Sequence, residues 1–258
     1  MARAVFRVDE EVVIALVVTL GLALADGSCS EPAQELIRQA SARAQEFDLA
    51  GAADTLHSSA ASGCTDAEAS ELYLRGLLAA RAAARLGGGD NSLMPVQEAA
   101  SALEKLAQNR PGPVQISRAM LLAAGAAALS ERDEMSVFID FATRMELLQL
   151  EAKQPPAPMV SALELAADLW LQVHRYEEAE RAYEVAAREL GTTPRIRAGR
   201  AKLAAQTGRT MRACLEYREL MAWWGRRSPA SVPTEIAEAR AFLAQQTCAS
   251  PAVAPVSK

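Results

Sequence analysis

The C-terminal half of the chain repeats at a spacing of 34 residues, and this spacing constrains its fold more than any other feature. Shifting the sequence by 34 positions aligns seven pairs of identical residues within one window. The pairs are Ala167 with Ala201, Leu169 with Leu203, Gln172 with Gln206, Arg175 with Arg209, Ala179 with Ala213, Tyr183 with Tyr217, and Gly191 with Gly225. A fixed period of this length is typical of proteins whose units stack on their neighbours.

The packing of helical hairpins explains why these residue types recur. Ala167 and Ala179 fall where two antiparallel helices would cross closely, and only a small side chain fits there. Tyr183 follows Ala179 by four residues, so it lies on the same helical face and would fill the space between units. Gly191 would end the second helix of the unit, and Pro194 suits the first turn of the next helix.

Residues 158–225 resemble a pair of tetratricopeptide repeats, and the rest of the chain resembles that family more loosely. The stretch LELAADLWLQVHRYEEAERAYEVAARELGTTP has the small residue of the first helix, the RYEEA turn, the alanine and tyrosine of the second helix, and the closing proline. The second copy keeps Ala213 and Tyr217 but has Arg197 and Ala204 where bulky apolar residues are usual. The resemblance implies a concave face, lined by the first helix of each hairpin, that holds an extended peptide or a partner helix.

Composition extends the helical prediction to the whole chain. Half of the residues are hydrophobic but only 5% are aromatic, and alanine, a strong helix former, dominates the apolar set. We predict an all-α solenoid of about five antiparallel hairpins with a C-terminal capping helix. Its parts would be degenerate hairpins over residues 26–152, the clear pair with the capping helix over 158–247, and a disordered tail over 248–258. The alternative is a helical bundle without repeats.

The N-terminus predicts export. Residues 12–25 form an uninterrupted apolar run that follows two arginines and ends in Ala-Leu-Ala. The run is shorter than the roughly 20 residues that a transmembrane helix needs, and it suits a secretory signal over residues 1–25. We therefore expect a periplasmic or secreted protein. Because three acidic residues directly precede the run, the alternatives are an uncleaved anchor that leaves the protein facing outside and a misassigned start codon. A lipid anchor on Cys29 fits its motif poorly.

Four cysteines fit two disulfides in an exported protein. If the segment between Cys29 and Cys64 forms a helical hairpin, the two cysteines meet at its open end. The same argument brings Cys214 to Cys248 in the last unit. Each bridge would close a loop of about 35 residues, which stabilises the fold by about 3–4 kcal/mol. The alternative is four unpaired cysteines.

The sequence has no recognisable catalytic machinery. It contains no G-x-S-x-G, Walker A, H-E-x-x-H or dinucleotide-binding G-x-G-x-x-G motif. His57 and His174 show no metal-ligand spacing. A net charge of −5 and a pI near 5.3 argue against nucleic acid as the main partner. We predict a protein without cofactor or metal that is not an enzyme.

Counting along the first helices of the two clear repeats selects candidate contact residues on the concave face. An acidic unit would be followed by a basic one, a polarity that would orient a bound segment. Trp223 is a further candidate, because tryptophan is enriched in interaction hot spots, although it could instead pack the capping helix. The candidates are Glu164, Asp168, Arg195, Lys202, Gln206 and Trp223.

These observations predict an exported adaptor that binds a protein or peptide in the cell envelope. The alternative is a structural subunit permanently buried in an envelope oligomer, and a weaker alternative is an enzyme of unknown type. An open, polar concave face would favour the adaptor, whereas a large apolar patch there or around Trp223 would favour the subunit.

Overall fold

The computed structural model describes residues 29–58, 61–87, 90–109, 112–153, 159–227, 232–246 and 248. Within these ranges the chain forms eleven α-helices and no strand. The helices are α1 (Glu31–Gln45), α2 (Leu49–Leu56), α3 (Thr65–Arg85), α4 (Met94–Asn109), α5 (Pro113–Ala128), α6 (Arg132–Glu151), α7 (Ala162–Gln172), α8 (Tyr176–Leu190), α9 (Pro194–Gln206), α10 (Thr210–Trp224) and α11 (Thr234–Gln245). A short 3₁₀ turn, Asp90–Leu93, precedes α4.

Consecutive helices pair into five hairpins, and the hairpins stack in chain order. The pairs are α1–α2, α3–α4, α5–α6, α7–α8 and α9–α10, and α11 packs on α10. The first helices α1, α3, α5, α7 and α9 also contact one another in succession. The predicted all-α solenoid with a C-terminal capping helix is therefore confirmed, and the array is compatible with a tetratricopeptide-like fold.

The residues of the repeat signature occupy the packed positions of the two C-terminal hairpins. Their alanines are fully buried, and the two tyrosines are nearly so. These residues are Ala167, Ala179, Tyr183, Ala201, Ala213 and Tyr217. Gly199, which is not part of the signature, lies against the signature residue Tyr183. A Cβ atom on Gly199 would come within 2.1 Å of the Tyr183 hydroxyl oxygen, so only glycine fits there.

The boundary between α8 and α9 follows from local chemistry. Gly191 ends α8 with a φ of 76°, a left-handed conformation that favours glycine. The Thr193 hydroxyl then accepts a hydrogen bond from the amide of Ile196 at 3.2 Å, and Pro194 is the first residue of α9. The aligned Gly225 has a φ of −60°, so the second copy does not use the conformational freedom of glycine.

Both disulfides join the predicted partners. Cys29 is bonded to Cys64 with their Cα atoms 4.9 Å apart, and Cys214 is bonded to Cys248 with their Cα atoms 5.7 Å apart. The Sγ atom of Cys64 also accepts a hydrogen bond from the Ala67 amide, so it caps the start of α3. Disulfides persist in oxidising compartments, and the two bridges indicate an extracytoplasmic environment.

Some sequence predictions concern residues outside the described ranges, and one concerns the boundary between the two parts of the array. The expected signal at residues 1–25 and the tail from residue 249 lie outside the described ranges. Among the described helices, none combines the length and apolarity that a bilayer-spanning segment requires. A continuous cluster of buried apolar residues extends from α1 to α7, so it includes residues on both sides of the predicted boundary between the degenerate hairpins and the clear pair.

Candidate functional site

A cavity of about 680 Å³ lies on the side of the array formed by the first helices. Residues of α3, α7 and α9 line it, and the α1–α2 turn and the start of α11 complete its wall. Its volume is within the usual range for ligand-binding pockets. The charged and amide side chains in the wall are Asp48, Arg81, Arg85, Asp168, Gln172, Lys202, Gln206, Glu235 and Glu238.

The α1–α2 turn closes one side of the cavity by contacting the other end of the array. The Ala44 carbonyl oxygen accepts a hydrogen bond from Nη2 of Arg195 at 3.0 Å. Glu46 forms an ion pair with Arg227, with 3.2 Å between Oε1 and Nε. Phe47, only 7% exposed, belongs to the apolar cluster of α9, α10 and α11. The turn of the first hairpin therefore contacts the last hairpin and closes one side of the concave face.

Aromatic and cationic groups surround Phe47 in this contact. Its ring meets the Trp223 ring edge to face, with the centroids 6.3 Å apart. The Arg195 guanidinium lies 5.5 Å from the centre of the Phe47 ring, and the Arg227 guanidinium lies 3.7 Å from the centre of the Trp223 ring. Phe47 itself has a φ of 68°, a conformation that non-glycine residues seldom adopt.

Two of the candidate contact residues, Glu164 and Arg195, pair with each other beneath the cavity. Their side chains are 11% and 7% exposed, and Oε2 of Glu164 lies 3.8 Å from Nε of Arg195. The Thr193 hydroxyl also donates a hydrogen bond to Glu164. Burial raises the pKa of Glu164, and the Arg195 charge opposes that rise. The acidic and basic units predicted from the sequence thus partly neutralise each other inside the protein.

Asp168 lies in the cavity wall and holds the end of a buried tyrosine. Its Oδ1 accepts a hydrogen bond from the Tyr183 hydroxyl at 2.7 Å. Burial raises the pKa of Asp168, while Arg195, the Tyr183 hydrogen bond and Arg81 oppose the rise. The carboxylate that we expected on the concave face is there, but one of its oxygens is already engaged.

Arg81 is a cavity residue that the sequence analysis did not select. It lies in the alanine-rich part of α3, and burial, together with the charge of Arg195, lowers its pKa. Asp168 and Glu235 are the acidic groups that oppose this effect. Within the described part of the chain Arg81 forms no hydrogen bond and no ion pair, so its donors are free to meet a ligand. A single arginine within a run of alanines was the available sequence signal.

The structure brings three of the six candidates together in the cavity wall. These three are Asp168, Lys202 and Gln206, and Lys202 also lies 3.7 Å from a carboxylate oxygen of Glu238. Trp223 lies instead in the contact with Phe47, while the neighbouring Trp224 is buried under α11. Phe47 and Arg81 are the residues that sequence reasoning missed.

The described residues contain no group of three or more histidine, cysteine, aspartate or glutamate side chains placed to hold a metal ion. Comparison with known proteins gives no assignment either: no protein-family model, no curated protein and no solved structure matches this chain.

Proposed function

We propose that this chain is an exported, tetratricopeptide-repeat-like adaptor that binds a segment of a protein partner in the cavity and performs no catalysis. The observation that carries the proposal is the cavity itself, which is lined by the first helices α3, α7 and α9 and contains the guanidinium of Arg81, a group that forms no ion pair with a described residue. In stacked helical repeats, residues on this side vary without disturbing the seams between units, so it is suited to recognition.

The composition of the wall favours binding of a polar, charged segment. Arg81, Arg85 and Lys202 offer donors, and Glu235 and Glu238 offer acceptors at the start of α11. A segment that places a carboxylate near Arg81 would neutralise a partly buried cation, and charge-assisted hydrogen bonds of this kind are stronger than neutral ones.

The two disulfides support export as part of the proposal. They close the first and last units, which have a neighbouring unit on only one side along the chain. The mass of the native protein tests this: we expect loss of residues 1–25 and a gain of two hydrogens per disulfide on reduction. Free thiols on a chain that retains its N-terminus would contradict export.

The alternative, a permanently buried structural subunit, finds less support on this side of the molecule. We expected it to show an apolar patch on the concave face or around Trp223. The cavity wall is instead rich in charged groups, and Trp223 packs against Phe47.

A capture experiment with a matched control tests the adaptor proposal. The mature chain is used to capture partners from its own cell envelope, in parallel with the variants Arg81→Gln and Arg181→Gln. Arg181 is an exposed arginine of α8, away from the cavity. We expect one partner to be retained by the wild type and by Arg181→Gln and lost with Arg81→Gln. Retention of every partner by Arg81→Gln would contradict binding in the cavity.

A further inference from the structure

The outer face of α6 exposes a row of large apolar side chains. Val137 is 67% exposed, Phe141 45% and Leu148 54%. Their spacings of four and seven residues place them on one side of the helix. The row spans the twelve residues 137–148, or about 16 Å along the helix axis, and Arg144 is the positively charged residue that lies within it.

Acidic side chains surround this row. Asp133, Glu134, Asp140 and Glu151 are all exposed, and none of them forms an ion pair with a described residue. Arg144, the single cation on this face, likewise has no ion-pair partner among the described residues. The face therefore carries four carboxylates against one guanidinium, without local neutralisation.

The second helix of the next hairpin differs at the equivalent outer face. On this face of α8 the exposed positions are Glu177, Arg181, Glu184 and Arg188, which balance in charge, and the exposed Glu189 beside them forms an ion pair with Arg188. No large apolar residue of α8 is exposed. Among these outer helices α10 exposes only a pair, Met211 and Leu215, and α8 exposes none, so the row of three on α6 calls for a separate explanation.

We propose that this face of α6 binds an amphipathic helix of a protein partner, with an apolar stripe flanked by lysine or arginine. The apolar stripe would cover Phe141 and Leu148, and the flanking cations would meet the unpaired carboxylates. Charge complementarity decides against a second copy of this chain as the occupant, since its acidic face would meet an identical one. The binding site is separate from the cavity, so it does not depend on the function proposed above.

The size of the face sets the expected affinity. One helix lying along about three turns of another covers less surface than a standard protein interface, so binding should be in the micromolar range. The exposed carboxylates should make it weaken with salt.

A pair of designed peptides tests the proposal on the full chain with both disulfides intact. The first is a labelled helix of about 18 residues with leucines on one face and lysines beside them; the second replaces every lysine with glutamate. We expect the lysine peptide to bind, by fluorescence anisotropy, with a dissociation constant on the order of 10 µM. The glutamate peptide should bind at least about tenfold more weakly. Equal binding of both peptides would overturn the proposal.

Matched variants locate the binding on α6. Phe141→Ser with Leu148→Ser should weaken the lysine peptide by about tenfold or more. The control is Met211→Ser with Leu215→Ser on α10, which removes two equally exposed apolar residues and should leave binding unchanged. Equal losses in both double variants, or no loss in the first, would overturn the proposal.

Sedimentation analysis tests whether a second copy of this chain, rather than a partner helix, covers this face. A wild-type dimer that disappears with Phe141→Ser and Leu148→Ser would assign the face to a second copy and overturn the proposal. A wild-type monomer at concentrations well above the peptide's dissociation constant would support it.

Discussion

The boundary between the second and third hairpins and the boundary between the fourth and fifth use different chemistry within the same architecture. At the first, α3 packs on α5 through apolar groups, with Gly76 placed directly against the Leu121 side chain. At the second, the ion pair of Glu164 with Arg195 crosses from α7 to α9 beneath the cavity.

The comparison shows that stacked hairpins can be joined either by shape or by buried charge. An apolar boundary depends on close packing and is insensitive to pH. A boundary with buried charges depends on pairing, because an ionised group left alone in the interior is strongly unfavourable. The charged boundary also reaches the first hairpin through the Arg195 hydrogen bond to Ala44, so it links the ends of the array.

The largest effect is expected from removal of the buried cation. Arg195→Met leaves Glu164 unpaired and should reduce the free energy of unfolding by about 3–5 kcal/mol near neutral pH. Adding Glu164→Leu should recover part of the loss, because Arg195 also donates a hydrogen bond to the Ala44 carbonyl oxygen and its charge stabilises the Asp168 carboxylate. At the apolar boundary, Leu121→Ala should cost about 2–5 kcal/mol at any pH. Urea denaturation at two pH values measures all three, and a pH-independent cost for Arg195→Met would remove the distinction between the boundaries.

Two buried tyrosines show the same difference between charged and neutral partners, because each hydroxyl donates one hydrogen bond. The Tyr183 hydroxyl donates to a carboxylate, whereas the Tyr73 hydroxyl donates to the carbonyl oxygen of Val160 at 3.0 Å. We expect Tyr183→Phe to cost about 1.5–3 kcal/mol and Tyr73→Phe about 0.5–1.5 kcal/mol. Thermal or chemical unfolding of the two variants checks the order, and a larger cost for Tyr73→Phe would reverse it.

Replacing either of two closely packed glycines, Gly199 or Gly76, should have a smaller effect on stability. A Cβ atom on Gly199 would come within 2.1 Å of the Tyr183 hydroxyl oxygen, whereas one on Gly76 would meet the Leu121 methyl groups at 2.7 and 2.8 Å. Gly199→Ala should cost about 1–3 kcal/mol, less about 1 kcal/mol from the better helix propensity of alanine. Gly76→Ala should cost less, because the Leu121 side chain can change rotamer and only the Ala99 Cβ atom, at 3.2 Å, is fixed. Equal melting temperatures for the two variants would contradict this account.

The smallest expected effect is on the pH dependence of the unfolding free energy, and it comes from the buried Glu146. Burial raises the pKa of Glu146 above its usual 4.5, although the Leu163 amide and the Ser161 hydroxyl donate hydrogen bonds to its Oε2. Its neutral form is therefore favoured in the folded state. The contribution of Glu146 to the free energy of unfolding is therefore complete below pH 4.5, and it is lost as the pH rises through the pKa of Glu146 in the folded protein.

Glu146→Gln should reduce the fall in unfolding free energy that accompanies a rise in pH above 4.5. Glu184→Gln, an exposed control on α8, should leave the slope unchanged. Denaturation across the pH range measures both slopes. Identical slopes for Glu146→Gln and the wild type would show that Glu146 does not contribute to the pH dependence.

The helices, their pairing into hairpins and the partners of the cysteines could all be predicted from the amino-acid sequence. These features depend on local periodicity and on residues that end helices, such as Gly191 and Pro194. Alanine and tyrosine at a 34-residue spacing were sufficient to predict the stacking, because each unit contacts mainly its neighbours. Once hairpins were predicted, the ends of each hairpin placed Cys29 beside Cys64 and Cys214 beside Cys248.

The curvature of the array and the cavity that its first helices enclose could not be predicted from the sequence and became visible in the folded chain. Small rotations between successive hairpins accumulate along the array, and no short window of sequence encodes their sum. That sum brings Phe47 against Trp223, across most of the length of the chain, and places Glu164 and Arg195 beneath the cavity wall. It also leaves Arg81 in the cavity without an ion-pair partner among the described residues, which the alanine-rich sequence around it did not predict.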